Sequence, residues 1–322
     1  MFTGFYKNKM NRIIGQHGGA LPGPLVVVIG GIHGNEPAGV RALEEIFQML
    51  EWQRTAQPDF AFQGKLVGLL GHRQAFERSL RFMQQDLNRL WLPGDVQRIL
   101  TENPTNLRDE QLEIWELYTA ICQAVQAEQP ATLVLIDLHT TSATGGIFCI
   151  PTDETDSLTL FRDLHTPVIL GLFEGLSGTL LRFAAEGHFA QAGFPLRTLG
   201  AAFEAGQHGD PRSVSRSISA IVHCLRAVGC IPATALDNRH DAILRQAGAG
   251  LPLVTRLRYV HRIQPGDHFK MRPGYVNFQP IRRGEWLADD AHGPIAALDD
   301  GLILMPLYQP QGADGFFVVE EV

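Results

Sequence analysis

Residues 25–37 read Leu25-Val26-Val27-Val28-Ile29-Gly30-Gly31-Ile32-His33-Gly34-Asn35-Glu36-Pro37. The continuous apolar run Leu25 to Ile29 predicts a strand covered on both faces, as in a parallel sheet. Pro37 suits a first helical position, where its missing N–H costs nothing. Beyond it, Val40, Leu43, Ile46, Phe47 and Leu50 recur at helical spacing around Glu44 and Glu45. Strand, turn and helix follow one another within 25–50, the local grammar of an α/β sheet.

Outward from this unit the pattern repeats. Lys65 to Leu70, Thr132 to Leu138, Pro167 to Leu172 and Arg197 to Phe203 read as further strands. Arg108 to Glu128, Thr179 to Ala192 and Val214 to Val228 read as helices. Strands separated by helices predict a mainly parallel sheet covered on both faces. After about Cys230 the character changes. Leu251 to Ile263 alternates like a strand, and short segments follow at Val276 to Phe278, Glu285 to Ala288, Leu302 to Met305 and Phe316 to Val319, between Gly, Pro and Asp turns. The expected organisation is an α/β domain over 1–230 and a small β-rich domain over 231–322, with the boundary near Ile231 to Asn238.

Composition narrows the function classes. Of 322 residues, 45 % are hydrophobic and 19 % charged, which excludes a disordered, collagenous or coiled-coil chain. A formal net charge of -7 offers no general basic surface to nucleic acid or anionic membrane. The opening MFTGFYKNKMNRIIGQ lacks the apolar stretch of a signal peptide, and Leu25 to Ile29 is too short to span a bilayer. Cys122, Cys149, Cys224 and Cys230 contain no CxxC pair, so reduced thiols and a cytoplasmic location are expected.

Four segments carry chemistry. His33 and Glu36 stand three apart where a buried strand ends and a helix begins, the edge at which open α/β sheets bind ligands. Together they are two thirds of a His₂Glu catalytic zinc site, although an HxxE pair taken alone is more often a polar turn. His139 ends another buried strand in Ile136-Asp137-Leu138-His139-Thr140-Thr141 and can supply the third ligand, leaving a position for water. Strand alternation puts Asp137 on the same side as His139, either to orient that imidazole or to satisfy a backbone donor. Arg81 to Arg89 supplies two guanidiniums and the Asn88 carboxamide, groups that grip carboxylates and stabilise developing oxyanions. Glu204, at the end of the strand Arg197 to Phe203, can take a proton from an attacking water and return it to a leaving amine.

Gly-Gly-Ile-His-Gly-Asn-Glu, Arg-Phe-Met-Gln-Gln-Asp-Leu-Asn-Arg, Ile-Asp-Leu-His-Thr and Phe-Glu-Ala-Gly, in this order, resemble the succinylglutamate desuccinylase/aspartoacylase family from about Leu25 to Gly206. That family belongs with the zinc carboxypeptidases. Asn277-Phe278-Gln279-Pro280 and the Gly284-Glu285 turn are similar to its second domain.

The resemblance implies a zinc-carboxypeptidase-like fold and one Zn²⁺ per chain, held by His33, Glu36 and His139. It also implies Glu204 as the catalytic glutamate, Arg81 polarising the scissile carbonyl, and Asn88 with Arg89 holding a substrate α-carboxylate. The implied reaction is hydrolysis of the amide bond of a small N-acyl amino acid, in a protein that binds neither nucleic acid nor membrane; a homodimer stays open. A metallocarboxypeptidase acting on short peptides and a non-catalytic zinc-binding relative are the alternatives. Two departures stand out. Gly71-His72-Arg73-Gln74-Ala75 replaces the family's Asn-Pro pair, and Tyr308 is the nearest candidate for a substrate-binding tyrosine. Arg182 and Arg197 are candidates for a third substrate-binding arginine, His208 for lining the cleft, and the other histidines for ordinary surface or core positions.

Overall fold

The computed structural model describes residues 10–190, 195–237 and 239–322. The reading of the first nine residues, the final positions of the helix expected to reach Ala192, and Asn238 at the expected boundary lie outside them. The strands of the first part are β1 (Ile13–Gly18), β2 (Leu21–Gly30), β3 (Gln63–Leu70), β4 (Thr132–Thr141), β5 (Phe148–Pro151), β6 (Val168–Leu170) and β7 (Arg197–Gln207). The later ones are β8 (Val254–Arg262), β9 (Lys270–Met271), β10 (Gln279–Ile281), β11 (Trp286–Asp290), β12 (Gly293–Ala296), β13 (Gly301–Leu304) and β14 (Asp314–Glu321). Helices are α1 (Ala38–Ala56), α2 (Arg73–Arg78), α3 (Pro93–Thr101), α4 (Asp109–Glu128), α5 (Asp156–Phe161), α6 (Leu172–Gly175), α7 (Leu180–Ala185), α8 (Arg212–Ala227) and α9 (Arg239–Gly248).

One long sheet runs β1-β3-β2-β4-β7-β5-β6-β8-β14-β13-β10, and a three-stranded sheet runs β12-β11-β9. Its centre, β3-β2-β4-β7, is parallel. β1 pairs antiparallel on one edge, β5 runs antiparallel beside β7, and β8, β14, β13 and β10 continue the sheet antiparallel to one another. The fold is therefore the α/β class read from the sequence, with C-terminal antiparallel strands; β6 and β8, paired in parallel, join them to the same sheet.

Alternation along the central strands divides the core. Leu25, Val27 and Ile29 of β2 and Leu133 and Leu135 of β4 pack with Val96 and Ile99 of α3 and Ile114, Leu117 and Ile121 of α4. The intervening Val26, Val28, Val134, Ile136 and Leu138 pack on the other face with Leu43, Ile46 and Leu50 of α1 and Ile221 and Leu225 of α8. With apolar side chains owed to both layers, each strand has no polar position until it reaches its C-terminal end. A third cluster, including Met271, Ile281, Leu287 and Phe316, fills the space between the small sheet and the far end of the large one.

Two expected elements differ. The helix expected over Thr179 to Ala192 ends at Ala185, with Gly187 at a positive φ of 84° closing the turn. Val276 to Phe278 is a turn, and Phe278 takes a left-handed φ of 64° immediately before β10 begins.

The crossing from β2 into α1 depends on glycine. Gly31 has φ 69°, and a Cβ at Gly34 would run into the backbone of Ala75 and Phe76 in α2. Beside it, residues 79–92 form a loop resting on a buried polar platform. Glu110 Oε1 accepts from the backbone N–H of Met83 at 2.8 Å and of Gln84 at 2.9 Å, and lies 3.2 Å from His72 Nε2. Glu113 pairs with Arg12 and accepts from the N–H groups of Arg73 and Gln74 at 3.3 Å each. Burial pushes the Glu113 carboxyl up, but His72 and Arg12 outweigh it and hold the group at about 2. The Gly71 to Ala75 departure thus builds a support: His72 caps α2 by accepting from Ala75 N and ties that helix to α4.

Two expectations follow. Gly34→Ala should lower stability by about 1–3 kcal/mol, as overpacking does, visible as a lower denaturant midpoint at unchanged slope. Glu113→Gln should cost about 1–3 kcal/mol at pH 7, because it removes a charged hydrogen-bond acceptor from Arg12, which keeps Glu116. Since the Glu113 carboxyl is depressed from 4.5 to about 2, its contribution is complete above about pH 4.5. The gap between wild type and variant should therefore shrink as pH falls through that window; urea titrations at pH 7 and pH 3 measure it.

Candidate active site and metal centre

The central polar groups of the site stand where strands leave the core. The turn after β2 supplies His33 and Glu36, the end of β4 supplies Asp137, His139 and Thr140, and the end of β7 supplies Glu204. His139 and Glu204 are direct register partners on adjacent strands, so their side chains leave the sheet on the same face. The 79–92 loop closes the site from the side. Gly34 N donates to Arg81 O at 3.1 Å, which docks the loop on the β2 turn.

Glu36 is the hub. His33 Nδ1 lies 2.9 Å from Glu36 Oε1, and His139 Nδ1 lies 3.1 Å from Glu36 Oε2. Oε2 also accepts from Thr140 N at 2.9 Å, and Oε1 accepts from Arg81 Nη1 at 3.3 Å. The outer nitrogens are fixed too. His33 Nε2 faces Asp86 Oδ1 at 3.1 Å, and His139 Nε2 faces Asp137 Oδ2 at 2.9 Å. All of these residues are buried except Arg81, which is partly exposed.

This arrangement fits a metal ion. One atom from each of His33, Glu36 and His139 lies within 4.8 Å of the others. With each outer nitrogen donating to a carboxylate, the inner nitrogens turn lone pairs toward the carboxylate oxygens, and a cation at that point satisfies all three. Two imidazoles and a carboxylate, each imidazole backed by a carboxylate, are the donor chemistry of a catalytic zinc site.

Electrostatics sharpen the roles. Burial would raise Glu36, but His33 and His139 hold its carboxyl well below the usual carboxylate range. Asp86 is likewise depressed against its burial by His33 and Arg81. Burial would lower His139, but Asp137 and Glu36 push it well above its ordinary value. Glu204 goes the other way. Burial raises it to about 8, opposed by His139 and assisted by the nearby Glu36 charge, and its Oε2 has no hydrogen-bond partner among the described residues.

His33, Glu36, Arg81, Asn88, Arg89, His139 and Glu204 line one cleft, which encloses a cavity of about 110 Å³. Arg81 spans Glu36 and Asp86, its Nη2 lying 3.1 Å from Asp86 Oδ2. Asn88 is engaged at both ends: Nδ2 donates to Asp137 Oδ2 at 3.3 Å, and Oδ1 accepts from Leu180 N at 3.0 Å. Asp137 therefore contacts His139 and Asn88, the first of its two expected roles. Arg89 Nη2 donates to Asp314 Oδ2 at 2.6 Å.

The remaining candidates fall elsewhere. Arg182 is taken by Glu186 and the carbonyls of Phe173 and Leu176, and Arg197 by Asp156, so neither meets the cleft. The Tyr308 hydroxyl donates to Arg272 O and accepts from Tyr275 N. The adjacent Gln309 reaches the cleft instead. His208 touches Thr140 Oγ1 at 2.7 Å and Gln309 Oε1 at 3.3 Å, one step behind the cleft wall. Sequence reasoning did not single out Asp86, Gln309 or Asp314. Asp86 stood in plain view inside the Arg81 to Arg89 segment, whereas nothing local marks Gln309 or Asp314.

Comparison with known proteins agrees with this geometry. Residues 22–209, more than half of the chain, match the succinylglutamate desuccinylase/aspartoacylase catalytic domain. A probable aspartoacylase from Nostoc sp. is 31 % identical over 126 residues, 39 % of this chain and 38 % of that protein, so the match spans well under half of that curated relative. A succinylglutamate desuccinylase structure from Chromobacterium violaceum superposes with a TM-score of 0.58 at 18 % identity, covering 95 % of this chain and 88 % of that one. A succinylglutamate desuccinylase/aspartoacylase from Rhodobacter sphaeroides gives 0.61 at 17 % identity, covering 94 % and 87 %. At such identities the two structures speak to the fold alone. The matched region contains the His33, Glu36 and His139 cluster, and the chain belongs to the succinylglutamate desuccinylase/aspartoacylase family of hydrolytic deacylases.

Proposed function

We propose that this protein is a zinc-dependent hydrolase that cleaves the amide bond of a small N-acyl amino acid, with His33, Glu36 and His139 holding one Zn²⁺ per chain. The observation that carries this reading is the buried Glu204, which has one carboxylate oxygen without a partner among the described residues and stands beside His139 on the neighbouring strand. When bound, zinc supplies Lewis acidity to the scissile carbonyl and to the attacking water. The chain's own residues do the rest.

Glu204 takes the proton of the attacking water at its free oxygen. It then gives that proton to the amine nitrogen as the C–N bond breaks, which turns a poor leaving group into a neutral amine. Arg81 faces the oxygen that gains charge, and its buried Nε is without a partner among the described residues. Arg89 and Asn88 hold the substrate carboxylate, Arg89 through a guanidinium whose Nε is likewise unpartnered. Asp86 and Asp137 fix both imidazole rings so that their inner nitrogens converge.

The small cavity favours a compact acyl amide over a peptide. A non-catalytic zinc-binding relative has no use for a buried, unpartnered glutamate at this point. No helix among the described residues is long and apolar enough to cross a membrane, and a small-molecule substrate from solution suits the cleft.

Two substitutions separate metal from chemistry. His139→Ala should lose most of its zinc by elemental analysis while keeping its far-ultraviolet circular dichroism. Glu204→Gln should keep full zinc and substrate affinity while kcat for amino-acid release falls by about 10²–10⁴. Full zinc in His139→Ala removes that ligand, and near-normal kcat in a zinc-replete Glu204→Gln overturns the mechanism.

A further inference from the structure

The cleft wall opposite the histidines is apolar. Ile150 of β5, Phe173 of α6, Leu176 just beyond it, Leu181 of α7, Met305 after β13 and Phe317 of β14 line it. Among the described residues the cations lining the same cleft are Arg81 and Arg89, and each already faces carboxylate oxygen. Arg81 is shared by Glu36 and Asp86. Arg89 is held by Asp314, whose side chain is only 8 % exposed. The other oxygen of Asp314 is bound by Arg262, so Asp314 is fixed from both sides.

We propose that the site selects amides carrying a single carboxylate and an otherwise apolar skeleton, that carboxylate taking the place of Asp314 on Arg89. The inference rests on the deacylase reading and adds the substrate class to it. A monocarboxylate displaces Asp314 from Arg89 while Asp314 keeps Arg262 as its partner. The exchange replaces one ion pair by another and leaves no charge stranded. A second carboxylate on the substrate has no such exchange. It would lie against the apolar wall without a cation, and an unpaired buried charge is strongly unfavourable. The other two candidate arginines, Arg182 and Arg197, are bound to Glu186 and Asp156 away from the cleft.

The test uses the zinc-loaded full chain and four amides. N-acetyl-L-leucine and N-hexanoylglycine place the apolar group on the amine and acyl sides; N-acetyl-L-aspartate and N-succinyl-L-glutamate are the dicarboxylate or tricarboxylate competitors. At least one of the first pair should exceed both of the second in kcat/KM by 100-fold or more, and the better member shows which side meets the wall. Calorimetric binding of all four to Glu204→Gln is measured in parallel. If nothing is hydrolysed but the apolar monocarboxylates still bind more tightly, the deacylase reading fails and the selectivity stands. If a polycarboxylate is hydrolysed or bound as well as the apolar compounds, the selectivity is overturned and the deacylase reading survives.

Asp314→Asn in the Glu204→Gln background should tighten monocarboxylate binding at least threefold, because no ion pair then has to be exchanged at Arg89; unchanged binding removes Asp314 from the proposal. Should that variant not fold, Arg262→Gln answers the same question. Asp314 then has Arg89 as its sole cation, and monocarboxylate binding should weaken at least threefold, whereas unchanged binding counts against the exchange.

Discussion

One carboxylate, that of Glu36, ties together parts of the chain with no other reason to meet. It takes an imidazole nitrogen on each oxygen, a backbone N–H from β4 and a guanidinium from the 79–92 loop. Removing this group would take the shared partner from His33, His139, Thr140 and Arg81 at one point. Buried polar groups left without a partner are costly to a fold. The strand ends, the glycine turn and the loop platform can all be understood as devices for delivering partners to this carboxylate.

The delivery has two levels. Asp86 and Asp137 hold the far sides of the imidazoles, and Asp137 is itself fixed by Asn88, whose carbonyl caps the N–H of Leu180 at the start of α7. Below them, Glu110 holds the backbone of Met83 and Gln84, and Glu113 holds the start of α2. Each layer limits the freedom of the one above it, so the atoms at the centre are positioned by contacts that never touch a ligand. Preorganisation of this kind is what allows a small set of side chains to act without reorganising during a reaction.

The sequence made the centre of this arrangement readable and left its margins dark, for a physical reason. Buried parallel strands announce themselves as continuous apolar runs, and the polar residues that end them mark the sheet edge; hence His33, Glu36, His139 and Glu204 could be placed before any coordinates. Periodicity carries no comparable information about short elements. β5, four residues long, pairs antiparallel with β7 through Phe148 to Pro151 and shows no alternation, and α9 carries a single buried leucine, Leu244. Tyr308 stood as the nearest candidate for a substrate-binding tyrosine, yet the neighbouring Gln309 lines the cleft. Asp314 was invisible because its meaning depends on the start of β14 lying beside Arg89 of the 79–92 loop, a relation that no local pattern carries. The same sheet order joins the C-terminal strands to the large sheet through β6 and β8.

Arg89 and Asp314 are separated by 225 residues along the chain. The residues around Glu36 all fall between β2 and β7, whereas Asp314 comes from β14, which joins the large sheet through β8. The lining of the cleft divides the same way: the histidines and Glu204 come from the first part of the chain, Met305, Asp314 and Phe317 from its C-terminal part. Sequence change in the C-terminal strands can therefore reshape the cleft without touching the groups gathered around Glu36.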